Sequence, residues 1–296
     1  GAFYNFAKLL SNGGLVALAG MLAEYFVAID GASIDANKGA YSSALMIIFA
    51  VIAAVMVLLG LYHIKMLPST QVPATGKKST SEIMQDLVNV IGNFFTKKHI
   101  VYYIFFIILY RLAEGFIMKV APLFLRASRE VGGLGLSLTE IGTLNGVFGS
   151  AAFVIGSLLG GIFVARYGLK KTLFMLCCVF NLPFLAYTFL AVVQPTSLYL
   201  IGTCITMEYF GYGFGFVGLT LFMMQQIAPG KHQMSHYAFA SGIMNLGVML
   251  PGMISGYFSD LLGYRSFFIY VLIATIPAFL MTYFIPFTYD DSKKKK

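Results

Sequence analysis

Arg111 and Glu114 stand three residues apart near the middle of Val101 to Leu125, VYYIFFIILYRLAEGFIMKVAPLFL, a run otherwise apolar enough to cross a bilayer. A helix needs about 20 such residues to span the hydrocarbon core. A charge at that depth costs at least about 2.5 kcal/mol even on lenient insertion scales, so both groups are expected to face protein or a water-filled cavity. At i, i+3 spacing they share a helix face and can pair with each other or with a neighbouring span. Two chemistries fit: a structural ion pair that locks helices together, or a site for a solute or a proton. A third charge, Glu208, falls mid-run between Leu198 and Met224, followed by the glycine-rich YFGYGFGFVG and with no base near it in sequence. Desolvation favours the protonated form of a carboxyl, whereas an adjacent guanidinium favours the ionised form. Glu208 is therefore the first candidate to carry a proton, with Glu114 second and better suited to a permanent pair with Arg111.

Hydrogen-bonding and flat aromatic groups accompany these charges. Tyr110, Tyr209, Tyr212, Asn145, Gln225 and Asn245 fall in the same or neighbouring apolar runs. Sugars are held by such a mixture of polar side chains and aromatic faces. Tyr and Phe are frequent throughout the chain, so for each of these residues a packing role competes with a ligand contact. Catalytic signatures that would change the class (HExxH, GxSxG and GxxxxGK[ST]) do not occur in the sequence. The four histidines, His63, His99, His232 and His236, fall in or beside polar connections without a partner constellation. Cys177, Cys178 and Cys204 lie inside apolar runs without ligand spacing, so neither a zinc site nor a disulfide framework is expected. The sequence implies no cofactor, no metal and no enzyme.

The elements that must position these groups follow from composition. Of 296 residues 58% are hydrophobic and only 11% charged, with a mean hydropathy of +0.81. An average soluble domain is about 25% charged, which places this chain among polytopic membrane proteins. The net charge of +8 does not point to nucleic acid, because the bases sit in short connections between apolar runs. They act there as topology signals.

Eight candidate spans emerge: Leu9 to Ile29 with Glu24 near its outer end, Tyr41 to Tyr62, Val101 to Leu125, Ile141 to Val164, Leu173 to Val193, Leu198 to Met224, Tyr237 to Tyr257 and Phe267 to Phe287. The fifth is interrupted by Asn181 and Pro183, and the seventh contains Asn245 and Pro251. Gly142 with Gly146, and Gly156 with Gly160, have the spacing that lets helix backbones approach closely in lipid. Between the second and third spans the texture changes. Pro68, Pro73 and a GKKST turn precede SEIMQDLVNVIGNFFTKK, in which Ile83, Leu87, Val90, Ile91 and Phe94 recur at helical spacing. Ser79 with Glu82 is a capping-box pattern, and the stretch reads as an amphipathic helix on the membrane surface. With the C-terminus inside, fourteen basic residues fall inside and five outside, with Arg111 left in the membrane. That asymmetry satisfies the positive-inside rule. The chain opens on Gly without a signal-peptide pattern, and it is expected to be truncated at its N-terminus.

The connection after the fourth span reads GGIFVARYGLKKT, with Gly161, Arg166, Gly168, Lys170 and Lys171. It resembles the signature loop of the major facilitator superfamily, with Ala165 where that motif has an acid. In that family the loop lies on the cytoplasmic side, between the second and third helices of each six-helix half, and clamps neighbouring helices. YRLAEGF, SLTEIGTLNGVFG, MEYFGYGFGFVGL, HQMSHYAFASGIMNLG and GYFSDLLGYRSFF further resemble the AmpG-type muropeptide permeases, proton-coupled importers of peptidoglycan breakdown products in the bacterial inner membrane.

The resemblance implies an all-α polytopic membrane protein with a partial major facilitator fold. Residues 1–62 would be the last two helices of the first bundle and residues 63–100 the cytoplasmic linker. Residues 101–287 would form the complete second six-helix bundle, and residues 288–296 a basic cytoplasmic tail. Four preceding helices would complete the first half. Expected partners are the bilayer, protons and a sugar or muropeptide, without nucleic acid, on a monomer. Transport of another oligosaccharide or small solute is the alternative, and a membrane-embedded enzyme or receptor-like assembly the competing class.

Overall fold

The computed structural model describes residues 16–30, 34–66 and 79–289. Lys8, the first third of the first predicted span, Pro68, Pro73, Gly76, Lys77 and Lys78 of the GKKST turn, and the lysine tail lie outside the described residues. All regular structure in the described residues is helical. In chain order the helices are α1 Val16–Asp30, α2 Ile34–Met66, α3 Thr80–Phe95, α4 Ile100–Tyr110, α5 Leu112–Arg126, α6 Leu138–Ile141, α7 Ser150–Tyr167, α8 Leu169–Asn181, α9 Phe184–Val193, α10 Leu198–Phe222, α11 Gln233–Ala274 and α12 Ile276–Tyr283. Wider π-helical turns at Gly142–Gly149 and Met223–Ile227 join α6 to α7 and extend α10.

Five described segments are long and apolar enough to cross a membrane: Ser42–Met66, Ile100–Arg126, Leu138–Tyr167, Leu169–Val193 and Gln233–Tyr283. The last contains the seventh predicted span and the eighth as far as Tyr283. They are joined without a loop, the chain turning at Gly263, whose φ of 69° and ψ of 159° are non-helical. α10 is absent from the five because Glu208, its tyrosines and its glycines dilute its apolarity. Its position compensates, since it is the helix most enclosed by others, packed against α7, α8 and the π-helical turn.

That enclosure explains the glycine-rich sequence. A Cβ on Gly156 or Gly160 of α7 would come within 2.3 or 2.5 Å of the Phe210 and Phe214 carbonyl oxygens of α10. From the other side, a Cβ on Gly213 would stand 2.1 Å from the Phe153 oxygen of α7. Gly211 and Gly215 face α8 equally closely, at 2.4 Å from the Val179 and Leu176 oxygens. α10 is thus wedged between two helices by small residues on two faces, the close approach that lipid-embedded helices use in place of hydrophobic collapse.

The long span 100–126 is interrupted. At Arg111 the backbone leaves helical geometry, with φ −105° and ψ 4°, so that α4 ends at Tyr110 and α5 begins at Leu112. The Arg111 N–H donates to Ile108 three residues back, one tight turn, before Gly115 resumes the α-helical ladder onto Arg111. Just beyond the break, α11 crosses at Gly115, where a Cβ would meet Pro251 at 2.3 Å. The Val101 to Leu125 run therefore forms one span but two helices.

Helix α3 has the expected start, with the Ser79 N–H donating to Glu82 at 3.0 Å. Its Phe94 is buried against the rings of His236 and Phe239, while Leu87 on the same helix is exposed. Lys97, just after α3, donates through Nζ to the Ile227 and Pro229 carbonyls at the end of the α10 extension. Partial burial there lowers the Lys97 ammonium from its usual range.

Candidate functional site

The break in the third span has a physical use. It places Arg111 between two helix ends and turns its side chain onto Glu114, with Nε donating to Oε2 and Nη2 to Oε1, both at 2.6 Å. Arg111 is 5% exposed and Glu114 6%, so this bidentate pair is held within the helices and not at a lipid face. Parallel forked bonds give charge-assisted geometry that offsets much of the desolvation of two buried ions.

The wall opposite the pair is α10. Phe216 lies under the guanidinium, 5.2 Å from its ring centre. Tyr212, one turn earlier, reaches both Arg111 and Glu114 with its hydroxyl. Tyr110, fully buried, donates to the Gly215 carbonyl at 2.9 Å and tilts against Phe180 at 5.1 Å. Phe180 in turn packs on Tyr212 at 5.6 Å. Tyr110, Arg111, Glu114, Phe180 and Tyr212 thus form one cluster spanning α4, α5, α8 and α10.

Glu208 lies one turn before Tyr212 on the same helix, 9% exposed and within electrostatic range of Tyr187, Tyr209 and Tyr212. Tyr209 covers the Cα of Gly149, where an added Cβ would meet its ring at 2.9 Å. Asn145 belongs to the same π-helical turn, and its Oδ1 is buried without a hydrogen-bond partner. The candidates therefore run as a line from the ion pair along α10 to the π-helical turn.

Two predicted residues are placed elsewhere. Gln225 sits in the π-helical extension of α10, at the end of the bundle that holds the GGIFVARYGLKKT loop. Asn245 is exposed on α11. The five loop residues Gly161, Arg166, Gly168, Lys170 and Lys171 come together around one cavity of about 1020 Å³ that Gln225 also lines. Gly168 links α7 to α8 with φ +82°, a conformation that side-chain-bearing residues rarely adopt.

Sequence reasoning missed Phe216, Phe180 and Tyr187. Phe216 carried a signal, because it repeats Tyr212 at i+4 on α10 and so shares its face. Phe180 and Tyr187 come from α8 and α9, and nothing local ties them to the charges. In the sequence Asn181 marks only an interruption of the fifth span. It is 1% exposed, donates through Nδ2 to the Cys177 carbonyl at 3.0 Å, and leaves its Oδ1 unpartnered just before the Pro183 break.

Residues 104–296 match the Major Facilitator Superfamily. The chain belongs to the major facilitator superfamily. This places it in a family of multi-pass membrane transporters, in agreement with the all-helical architecture. Among curated relatives, the anhydromuropeptide permease of Escherichia coli K12 is 23% identical over 197 residues, covering 67% of this chain and 39% of the permease. A putative transporter AmpG 1 of Rickettsia conorii is 24% identical over 220 residues, covering 74% of this chain and 50% of that protein. The Rickettsia bellii AmpG 1 is 23% identical over 279 residues, covering 94% of this chain and 62% of its own length. The chain thus spans between about two fifths and three fifths of the length of these relatives. As a facilitator, this chain carries its buried charges on the helices of the matched region, with Arg111, Glu114 and Glu208 all inside residues 104–296.

Proposed function

We propose that this facilitator takes part in importing muropeptides, N-acetylglucosaminyl-anhydro-N-acetylmuramyl species in particular, across a bacterial inner membrane by proton symport and alternating access. The observation that carries the reading is the bidentate Arg111–Glu114 pair at a helix break, facing Tyr212 and Phe216 across the α10 wall. Transporters hold substrates at interrupted helices near the membrane midplane. A guanidinium at such a break suits the carboxylate of a muropeptide, and the tyrosines and Asn145 suit its sugars. In this reading Arg111 and Glu114 shape and gate the cavity while Glu208 carries the proton. The loop Gly161, Arg166, Gly168, Lys170 and Lys171 acts as the cytoplasmic gate. Gln225 and Asn245 would join the path as the bundles rock.

The same reading divides the chain into the end of a first bundle at residues 1–62, a cytoplasmic linker at 63–100, a second bundle at 101–287 and a cytoplasmic tail at 288–296. It makes the working protein a monomer.

The test is uptake into inverted and right-side-out vesicles from cells expressing the complete gene. Labelled muropeptide should accumulate with an imposed proton gradient and undergo counterflow without one. Glu208→Gln should abolish uphill accumulation while sparing exchange. Retained uphill uptake in that variant removes the proton role, and counterflow with other oligosaccharides but not with muropeptide removes the substrate.

A further inference from the structure

A second cavity, of about 1000 Å³, lies toward the start of the fourth span, away from the basic loop. One wall is a face of the segment Leu138–Tyr167, through Thr139, Thr143 and Phe148, and the other is a face of α10, through Thr203, Thr206 and Phe210. Hydroxyl and apolar groups mix in this lining. None of Arg111, Glu114, Asn145 and Glu208 belongs to it, so the space is separate from the buried charges.

Helix α1 stands at its rim, packed against α6 and the π-helical turn. Gly20, Ala23 and Glu24 share one face of α1 by their spacing. Ala23 is buried, and a Cβ on Gly20 would stand 3.3 Å from the Leu138 carbonyl group. At this close approach the Glu24 carboxylate accepts from the Thr139 N–H at 3.3 Å and from the Thr139 hydroxyl at 2.5 Å. The bonds complete a helix cap. Ser137 and Glu140 form a local capping box, with the Ser137 N–H donating to Glu140 Oε2 at 2.8 Å and the Glu140 N–H to the Ser137 hydroxyl at 3.1 Å. The Thr139 N–H is another donor that the start of a helix cannot satisfy from within. It is met by a carboxylate 115 positions away in the chain, where the helix dipole favours a negative charge.

Just past this cap, the π-helical turn Gly142–Gly149 separates α6 from α7. Such turns are local departures from the α-helical ladder and a place where it can adjust. Further along, Gly156 and Gly160 fix α7 against α10. The start of the span can therefore swing with α1 while α7 keeps its place.

We infer that Glu24 is an access latch: its bonds to Thr139 hold α1 and the start of the fourth span together over the rim of this cavity, and their opening admits water and solute. Thr139 is both the partner of Glu24 and a lining residue, so breaking the contact and opening the rim are one event. From the transport reading the inference takes only that access to the bundle changes. Neither the solute nor the proton enters its test.

The test is thiol labelling of Thr143→Cys in the product of the complete gene, in right-side-out and inverted vesicles, with a charged, membrane-impermeant methanethiosulfonate. Peptide mass spectrometry reads that site apart from the native cysteines. Labelling should proceed from one side of the membrane. Adding Glu24→Ala, which preserves helix propensity in α1 and removes both bonds, should accelerate it roughly tenfold from that side alone. Thr139→Val, which loses the hydroxyl, should also label faster, while Thr139→Ser should keep the parent rate. Equal rates in the parent and Glu24→Ala overturn the inference, as does acceleration from both sides alike, which marks a loosened fold. No labelling from either side in any variant overturns it too. If Glu24→Ala fails to reach the membrane, the Thr139 pair decides: Ser labelling as fast as Val overturns the latch.

Discussion

Replacing Glu114 with Gln keeps the side chain's size and most of its hydrogen-bonding capacity but leaves Arg111 ionised at a position only 5% exposed. Guanidinium groups stay protonated in proteins, so the charge cannot be shed. Both 2.6 Å contacts lose their charge on the acceptor side, and the remaining neighbours, Phe216 and Tyr212, cannot neutralise a full cation. Breaking a buried pair from one side costs about 3–5 kcal/mol. For a helical unit of this size, that lowers the unfolding midpoint by roughly 6–20 °C.

The chain contains no Trp, so intrinsic fluorescence is a weak reporter. A thiol-reactive fluorophore suits it better, because Cys177 is fully buried and becomes reactive on unfolding. The double substitution Arg111→Met, Glu114→Leu should recover most of the lost stability, since no unpaired buried charge remains. It should nevertheless abolish uptake if Arg111 meets the substrate. A Glu114→Gln midpoint within about 2 °C of the parent would refute the claim that the pair is dry and closed. A double variant no more stable than the single one would show that the cost lies in shape and not in charge.

Four further outcomes follow from backbone geometry and tail contacts. Gly213→Ala places a Cβ 2.1 Å from the Phe153 oxygen, so α7 and α10 must part; thermal unfolding should show a loss of about 1–3 kcal/mol. Gly256→Ala meets nothing within 4 Å in a helix interior and should raise stability by up to about 1 kcal/mol in the same assay. Gly168→Ala has open space but must hold φ +82° and ψ 145°; it should lose about 1–3 kcal/mol of stability through strain alone. Gln226→Ala removes the three bonds that hold Thr288 and Tyr289, and hydrogen exchange should accelerate at those amides while α4 and α10 stay protected.

Much of the architecture was legible from local chemistry. Long apolar runs in a chain with few charges read as membrane spans because a helix satisfies its own backbone hydrogen bonds in lipid. Gly156 and Gly160 marked a close helix contact before any partner was known, and Phe210 and Phe214 turned out to provide it. Ser79 and Glu82 marked the start of α3. Arg111 and Glu114 were visible because a charge in such a run stands out, and their spacing put them on one face.

Sequence could not decide what lay across from them. Whether Arg111 paired with Glu114 or reached a neighbouring span depended on which helices came close, and that was set by Gly115 against Pro251 and by the glycines of α10 against α7 and α8. The break at Arg111 was equally hidden, because no Pro or Gly occupies that position and the turn is tolerated only where packing encloses it. Gln225 and Asn245 show the same boundary. Their residue types suit a sugar site, yet one lies by the basic loop and the other is exposed on α11. The sequence alone determined that buried charges and small residues had to find partners, since lipid leaves no alternative to pairing or close packing. Only the tertiary structure decided that Arg111 and Glu114 close on each other beneath α10, because that choice rests on contacts about a hundred residues apart in the chain, which no local pattern encodes.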